Sequence, residues 1–450
     1  MRSSCTTCRS EGCPWSDFRG DAFGLAIPAH GDALRALGAG FLTEAFRSFG
    51  SIAATNSVTR IVRLEECPGG STGQKFFLAV EYAQPAPDLH TDLFVKFSRD
   101  FTNPLRDRGR YEMEAEVRFA PLSRLPGFPI RVPVAYFADY EHESGTGLLI
   151  TQQIAFGVDG IEPHQPKCLD HDLEDPLARY RAIVAALAQL AATHKSARLS
   201  AEVEARFPFD AQAAAASDPI RHDGPRLREL IRGYAQFAAT YPQLVPSSLT
   251  PAFFARMERE VGRFLQHETT IKRFLQSDRD FIALCHWNAN IDNAWFWRDA
   301  SGTMQCGLMD WGRVRQMNVA YALWGALSAA HQELWDEHFD ELLDLFVTEL
   351  RANGGPSLAT ADLRLHMDLY VATMGLAWLM EAPAKVLSRL PAAATASSQR
   401  DPVFRTSEAA RAQLHISTMF LHLWQTHDFA AGLDRVLAGI GEGGGPQKTA

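Results

Sequence analysis

Hydrophobic and polar positions along the chain predict a strand-rich N-terminal part and a helical remainder. Apolar residues spaced by threes and fours from Leu34 to Phe46 predict a helix. Apolar residues from Met113 to Ala120 predict a second helix. Runs rich in β-branched and aromatic residues predict five strands, at residues 58–64, 76–82, 93–97, 132–137 and 147–152. This pattern predicts a small lobe of five strands and one packed helix.

Beyond residue 156 the pattern becomes helical. Asp175-Pro176 opens a long predicted helix that runs to about His194, and at least two helices follow before residue 280. Three short apolar strands come next, at residues 281–285, 294–297 and 307–309, and then about three more helices. The predicted fold class is α+β, with a small antiparallel β lobe plus a larger helical lobe. The predicted divisions are an N-terminal tail and helix (1–50), a β-rich lobe (51–155), a helical lobe (156–440) and a disordered tail (441–450).

Composition and charge narrow the class of protein. The 450 residues are 46% hydrophobic and 22% charged, as in ordinary globular proteins, and the net charge of −9 argues against non-specific nucleic-acid binding. No apolar run reaches the roughly 18 residues of a membrane helix, and no signal peptide is evident, so a cytoplasmic location is expected. Cys5, Cys8 and Cys13 lack an evident fourth zinc ligand, so a reactive tail is favoured over a metal site.

The most specific chemical pattern surrounds the short apolar strands. His286, Asn288 and Asn293 lie in a polar loop between two of them, and Asp310 ends the next strand, 17 residues after Asn293. Amide and carboxylate oxygens are ligands that Mg²⁺ prefers. We therefore predict Asn293 and Asp310 as metal ligands, with His286 holding the loop through its ring nitrogens. The alternative for Asp310 is that it only caps a turn before Trp311-Gly312.

Three further features of the β-rich part could serve a phosphate-bearing ligand. A loop between two predicted strands could bring backbone N–H groups to phosphate oxygens, or could be a plain hairpin turn; its residues are Gly69, Gly70, Ser71, Thr72 and Gly73. Lys96 is the only charge in an apolar strand, so it either meets a partner or extends to solvent at an edge. Glu116, on the following helix, is the partner that we select from Glu112, Glu114 and Glu116.

These residues resemble the aminoglycoside phosphotransferase and choline kinase-like superfamily, including its ecdysteroid-kinase-like relatives. The resemblance covers roughly residues 50–330; its motifs are Leu93 to Phe97, Glu116 to Phe119, Leu187 to His194, His286 to Asn293 and Asp310 to Gly312. It implies a bilobal protein-kinase-like fold and MgATP-dependent phosphorylation of a hydroxyl on a small molecule. It further implies that Lys96 contacts the α/β-phosphates, that Glu116 orients Lys96, and that Asn293 and Asp310 hold Mg²⁺. Gln153 would lie in the connection where backbone groups meet an adenine.

The chain departs from the superfamily at the catalytic position, because its catalytic Asp falls on Asn288. A neutral amide can orient a hydroxyl but cannot accept its proton, and general-base assistance is worth about 10²–10⁴ in rate. Positioning and charge neutralisation still supply much of phosphoryl transfer. Asp292 could replace the base if the loop is rearranged. The superfamily often has an Asp soon after the hairpin, where this chain has Asn318-Val-Ala.

Three functions follow from this pattern. The first is a MgATP-dependent phosphotransferase with a modified base position, acting on a small-molecule hydroxyl. The second is a non-catalytic kinase-like (pseudokinase) protein that binds or regulates. The third is a kinase fold used for other nucleotide chemistry, such as nucleotidyl transfer. The sequence indicates neither the acceptor nor the oligomeric state.

Overall fold

The chain divides into two compact units. The structure, a computed structural model, describes residues 18–67, 69 and 72–442. The first unit comprises Met1–Ile161 and Gly307–Val314, and the second comprises Glu162–Cys306 and Arg315–Ala450. Several predictions fall on residues outside the described ones: Cys5, Cys8, Cys13, Gly70, Ser71 and the tail from residue 443.

An antiparallel five-stranded sheet in the order β1-β2-β3-β5-β4 dominates the first unit. Its strands are β1 (Val58–Glu66), β2 (Gln74–Tyr82), β3 (Asp92–Phe97), β4 (Ala135–Glu141) and β5 (Thr146–Gln152). The helices of this unit are α1 (Gly31–Phe49), α2 (Pro104–Arg108) and α3 (Met113–Ser123). Residues of α1 such as Leu34 and Phe46 share a buried cluster with Phe76 and Leu78 of β2. The five predicted strands are therefore confirmed. The helix predicted from Met113 to Ala120 is α3, which packs against Ala135 and Leu149 of the sheet, and α1 and α2 accompany it in this unit.

The fourth strand lies further along the chain than predicted. It begins at Ala135 and not at residue 132. Pro133 precedes it, and proline has no backbone N–H with which to pair in a ladder. The segment Gly307–Val314 belongs to the same unit, since Leu308 N donates to Arg131 O at 3.0 Å.

The second unit is mainly helical. Its helices before the short strands are α4 (Pro176–Lys195), α5 (Ser200–Arg206), α6 (Ala211–Ala216), α7 (Gly224–Thr240), α8 (Pro251–Gln266) and α9 (Glu268–Ser277). Those after them are α10 (Val319–Leu327), α11 (Gln332–Ala352), α12 (Thr360–Trp378), α13 (Ala382–Arg389), α14 (Glu408–Thr426) and α15 (Phe429–Glu442). The prediction of about three later helices was wrong; the described residues contain six. None of the helices in the described part of the chain has the length and apolar character that a membrane crossing requires.

Two short strand pairs accompany these helices. The strands are β6 (Ile282–Cys285), β7 (Ala294–Arg298), β8 (Met304–Leu308) and β9 (Arg315–Asn318), and the pairs are β6 with β9 and β7 with β8. Strand β6 is buried throughout, and His194 at the end of α4 accepts a hydrogen bond from Leu284 N through Nδ1 at 3.0 Å. The loop between β6 and β7, which contains the predicted functional residues, therefore follows a firmly held strand.

Candidate functional site

Lys96 is the centre of a charged cluster in the first unit. Strand β3 directs Leu93, Val95 and Phe97 into the core, so Lys96 points to the opposite face of the sheet. Its Nζ donates to both carboxylate oxygens of Glu116 at 2.9 Å and to Asp310 Oδ1 at 2.7 Å. The side chain of Lys96 is only 14% exposed. Lys96 is therefore a partnered lysine of a covered strand face and does not extend to solvent.

Helix α3 supplies the carboxylate partner. The structure pairs Lys96 with Glu116, whereas Glu112 pairs with Arg313 and Glu114 with Arg118. Glu116 Oε1 also accepts from Trp311 N at 3.2 Å. One carboxylate thus holds both the lysine and the backbone beside Asp310.

Asp310 is held in an unusual backbone conformation. Its φ of +64° lies in the left-handed region, which non-glycine residues rarely occupy and which often marks functional sites. The next residue, Trp311, stacks on Phe119 of α3, with 3.9 Å between ring centroids and 13° between ring planes. Asp310 remains 43% exposed while it contacts Lys96. The arrangement presents a carboxylate to solvent beside a lysine, which suits a cation that accompanies phosphates.

Lys75 is a functional candidate that sequence reasoning missed. It is the second residue of β2 and lies directly opposite Lys96 in the β2–β3 ladder, so both side chains lie on one face of the sheet. Burial, and then the charge of Lys96, lower the pKa of Lys75, against the opposing effect of Asp310 and Glu116. On the same face, the half-buried rings of Phe77 and Phe94 lie 6.0 Å apart. Two cations and two aromatic rings thus share the face that Lys96 occupies. The alternation of apolar residues in β2, at Phe76, Leu78 and Val80, predicts that Lys75 lies on the opposite face. Its pairing with Lys96 depends on the register between β2 and β3, which the sequence does not give.

The glycine loop has a structural explanation for one of its members. Gly73 has a φ of +54°, and a Cβ there would lie 1.8 Å from Phe97 O, so glycine is required for packing against β3. Gly69 also has a positive φ, of +109°, and Thr72 is half-buried beside Gly109. Gly73 by itself therefore does not argue for a phosphate loop.

Gln153 follows β5 in the first unit. Its side-chain oxygen accepts from Arg63 at 3.1 Å, and its backbone N donates to Asp92 O at 3.1 Å. The side chain is therefore used within the sheet, and any role in nucleotide binding falls to its backbone carbonyl.

The polar loop of the second unit is held by its own hydrogen bonds. His286 is buried, and its Nδ1 accepts from Asn288 N at 3.1 Å. Asn288 Oδ1 accepts from Asn290 Nδ2 at 2.9 Å, and Asn293 Nδ2 donates to Asn288 O at 2.8 Å. Because the amide nitrogen of Asn293 serves the loop, its oxygen is the atom that suits a cation. Asn288 has no carboxylate, and its oxygen already has a donor.

Asp292 is positioned differently from a solvent-facing base. Its Oδ2 lies 3.3 Å from Lys167 Nζ, and its Oδ1 is buried with no hydrogen-bond partner among the described residues. Burial raises the pKa of Asp292, and Lys167 opposes that effect. The carboxylate is thus engaged with Lys167, and the loop would have to rearrange before Asp292 could act as a base.

No family model matches the chain, and no curated protein matches it in sequence. Solved structures do match. An ethanolamine kinase of Plasmodium vivax is 12% identical with a TM-score of 0.41, covering 82% of this chain and 83% of that one. A choline/ethanolamine kinase family protein from Mesorhizobium loti is 16% identical with a TM-score of 0.38, covering 87% and 98%. A spectinomycin phosphotransferase in complex with ADP and spectinomycin is 12% identical with a TM-score of 0.38, covering 80% and 94%.

Proposed function

We propose that this protein is a MgATP-dependent phosphotransferase that acts on a hydroxyl of a small molecule. The observation that carries the proposal is the cluster of Lys96, Glu116 and Asp310 in the first unit. A purely structural lysine needs one carboxylate partner, whereas Lys96 has two. One of these is half-exposed and held at a positive φ. Phosphoryl transfer needs a lysine on the phosphates, a carboxylate that orients it and an acidic metal ligand.

The residues of the first unit suit a nucleotide. Lys96 and Lys75 would neutralise phosphate oxygens, and Glu116 would keep the Lys96 ammonium in place. Phe77 and Phe94 offer apolar rings on the same face, against which a purine could lie. Burial alone would lower the pKa of Lys96, but Asp310 and Glu116 more than offset it and raise that pKa, so the ammonium stays charged.

The proposed Mg²⁺ ligands are oxygen donors from two parts of the sequence. Asp310 supplies a carboxylate and Asn293 an amide oxygen, both suited to a hard cation. When bound, ATP would supply the phosphoryl group, and the accompanying Mg²⁺ would neutralise negative charge on the phosphate oxygens. Asn288 would orient the acceptor hydroxyl through its amide and would not remove its proton.

The second hypothesis is a non-catalytic nucleotide-binding protein. It is favoured by Asn288, which stands where a general base is expected and whose Oδ1 accepts from Asn290. The two hypotheses share the binding site and differ only in turnover. Binding and turnover therefore have to be measured separately.

Calorimetry of ATP binding, with and without Mg²⁺, tests the shared part. We expect metal-dependent binding in the micromolar range, and its loss in Asp310→Ala. The matched control is Asp299→Asn, because Asp299 caps an exposed turn through Ser301 and Thr303. Unchanged binding by folded Asp310→Ala would refute the assignment of Asp310. Release of ADP with amino-alcohol and other alcohol acceptors then separates the enzyme from the binding protein.

A further inference from the structure

A cluster of two histidines and an aspartate lies in the second unit and includes none of the residues assigned to phosphoryl transfer. Asp170, His171 and His331 each offer one ligand atom, and these atoms all lie within 4.8 Å of one another. His171 Nδ1 is 2.8 Å from His331 Nε2, which in turn is 3.4 Å from Asp170 Oδ1. Three atoms of metal-binding type therefore converge on one point.

The two oxygens of Asp170 have different surroundings. Oδ2 accepts from His331 N at 3.0 Å and from Tyr180 Oη at 3.2 Å. Oδ1 is buried and has no hydrogen-bond partner among the described residues, although the side chain is only 1% exposed. A buried carboxylate oxygen without a partner is costly, and an ion is one of the few things that satisfies it. Oδ1 faces His331 Nε2, so the unsatisfied oxygen belongs to the cluster.

Neighbouring groups orient both imidazoles as the neighbours of metal ligands do. His171 Nε2 lies 3.5 Å from Asp172 Oδ1, and Arg405 holds Asp172 at 2.8 Å. A carboxylate on the far nitrogen of a histidine fixes the tautomer that frees the other nitrogen for a metal. The ring of His331 hydrogen-bonds the backbone of Cys168, which likewise fixes its orientation.

We propose that Asp170 Oδ1, His171 Nδ1 and His331 Nε2 bind one divalent transition-metal ion of the zinc class. Two imidazoles and one carboxylate favour zinc over Mg²⁺, which prefers oxygen ligands. Three protein ligands leave a fourth position for water or a small ligand. Zinc bonds of about 2.0–2.2 Å at tetrahedral angles separate ligand atoms by about 3.3–3.6 Å. The His331–Asp170 distance already matches this separation, whereas the two histidine nitrogens would have to move apart by about half an ångström.

The competing explanation is a hydrogen-bonded pair, in which one histidine donates to the other and no metal binds. The two explanations differ in saturable binding. A tag-free, full-length parent protein carrying Cys5→Ser, Cys8→Ser and Cys13→Ser removes the N-terminal thiolates as a second source of ligands. Titration of this parent with Co²⁺, followed by displacement with Zn²⁺, reports ligand type through the visible spectrum of cobalt.

We expect one equivalent of Co²⁺ to bind, with bands of tetrahedral nitrogen and oxygen coordination, and Zn²⁺ to raise the unfolding temperature. His331→Gln and Asp170→Asn should each weaken binding at least about 10–100-fold, the loss typical even of supporting residues. His171→Gln tests the remaining ligand, whose side chain is 10% exposed, close to the 14% of His331. The matched control is His427→Gln, whose ring meets a single carboxylate, Asp368, at 2.7 Å.

Absence of saturable binding at micromolar metal would overturn the proposal. Binding that persists unchanged in both His171→Gln and His331→Gln would overturn it as well. The outcome is independent of the phosphotransferase proposal, because Asp310→Ala should leave cobalt binding unchanged.

Discussion

Replacing Lys96 with methionine removes the ammonium that joins three carboxylate oxygens in the first unit. Methionine keeps much of the length and apolar volume of the side chain, so the change is mainly one of charge. Glu116 would then keep the N–H of Trp311 as its remaining described hydrogen bond. The perturbation therefore leaves a covered carboxylate with little compensation.

The solvent exposure of each carboxylate determines how much the substitution lowers the free energy of unfolding. Glu116 is 10% exposed, and removal of one partner from a buried ion pair costs about 3–5 kcal/mol. Asp310 is 43% exposed, and exposed pairs contribute about 0–1 kcal/mol. We expect Lys96→Met to lower the free energy of unfolding by about 3–4 kcal/mol, mostly through Glu116. For a chain of 450 residues one kcal/mol corresponds to about 1 °C, so this lowers the unfolding temperature by roughly 3–4 °C.

Urea and thermal unfolding of a double-mutant cycle test this reasoning. Adding Glu116→Gln to Lys96→Met removes the uncompensated charge and should restore about 2 kcal/mol. The control is Lys385→Met, because Lys385 and Glu381 form an exposed pair at 3.0 Å that should contribute less than about 1 kcal/mol. The reasoning is refuted if Lys96→Met unfolds within about 1 kcal/mol of the parent, or if Glu116→Gln restores nothing.

Three further predictions concern the second unit. Asn288→Asp should raise the rate of phosphoryl transfer by about 10²–10⁴ without changing the affinity for MgATP, because it supplies a general base. Steady-state kinetics that show no gain in rate would argue against the missing base as the factor that limits the reaction. Gly325→Ala should destabilise the protein and lower its activity, because a Cβ there would lie 1.5 Å from Trp287 O in the polar loop. Unfolding and activity assays test this; the control is Gly233→Ala, where a Cβ has open space and neither property should change. Burial lowers the pKa of His194 from its ordinary value of 6.5 to about 4. Between these two pH values the unfolded state binds more protons than the folded state, so the free energy of unfolding decreases as the pH falls from 6.5 towards 4. Between pH 7 and 5 this contribution amounts to about 2 kcal/mol, and unfolding of His194→Gln should show a shallower pH dependence; an unchanged slope would contradict it.

Much of the fold could be predicted from the sequence because the signals are local. Asp175 accepts from Ala178 N at the start of α4, and Pro176 occupies the first turn, as the sequence Asp-Pro predicts. The alternation of apolar residues likewise identifies β2 and β3. The start of β4 was predicted too early, since β propensity alone did not account for the missing N–H of Pro133.

Residues of the candidate site could be predicted only where their type is unusual for the surrounding sequence. Lys96 is conspicuous as a lone charge in an apolar strand, and Asp310 follows an apolar strand end. Lys75 has no such signal, because a lysine beside a turn is ordinary until the β2–β3 register places it opposite Lys96. The choice of Glu116 over Glu112 and Glu114 depends on the rotation of α3 against the sheet, which local spacing does not determine.

Most elements of this protein and the types of chemical group available could be predicted from the sequence, because both depend mainly on near neighbours along the chain. Tertiary structure alone decided which groups meet. Lys96 and Asp310 are 214 residues apart, and Asp170 and His331 are 161 apart, yet each pair is in contact. Such contacts are set by packing between distant elements, and their geometry gives an ordinary lysine, aspartate or histidine its chemical role.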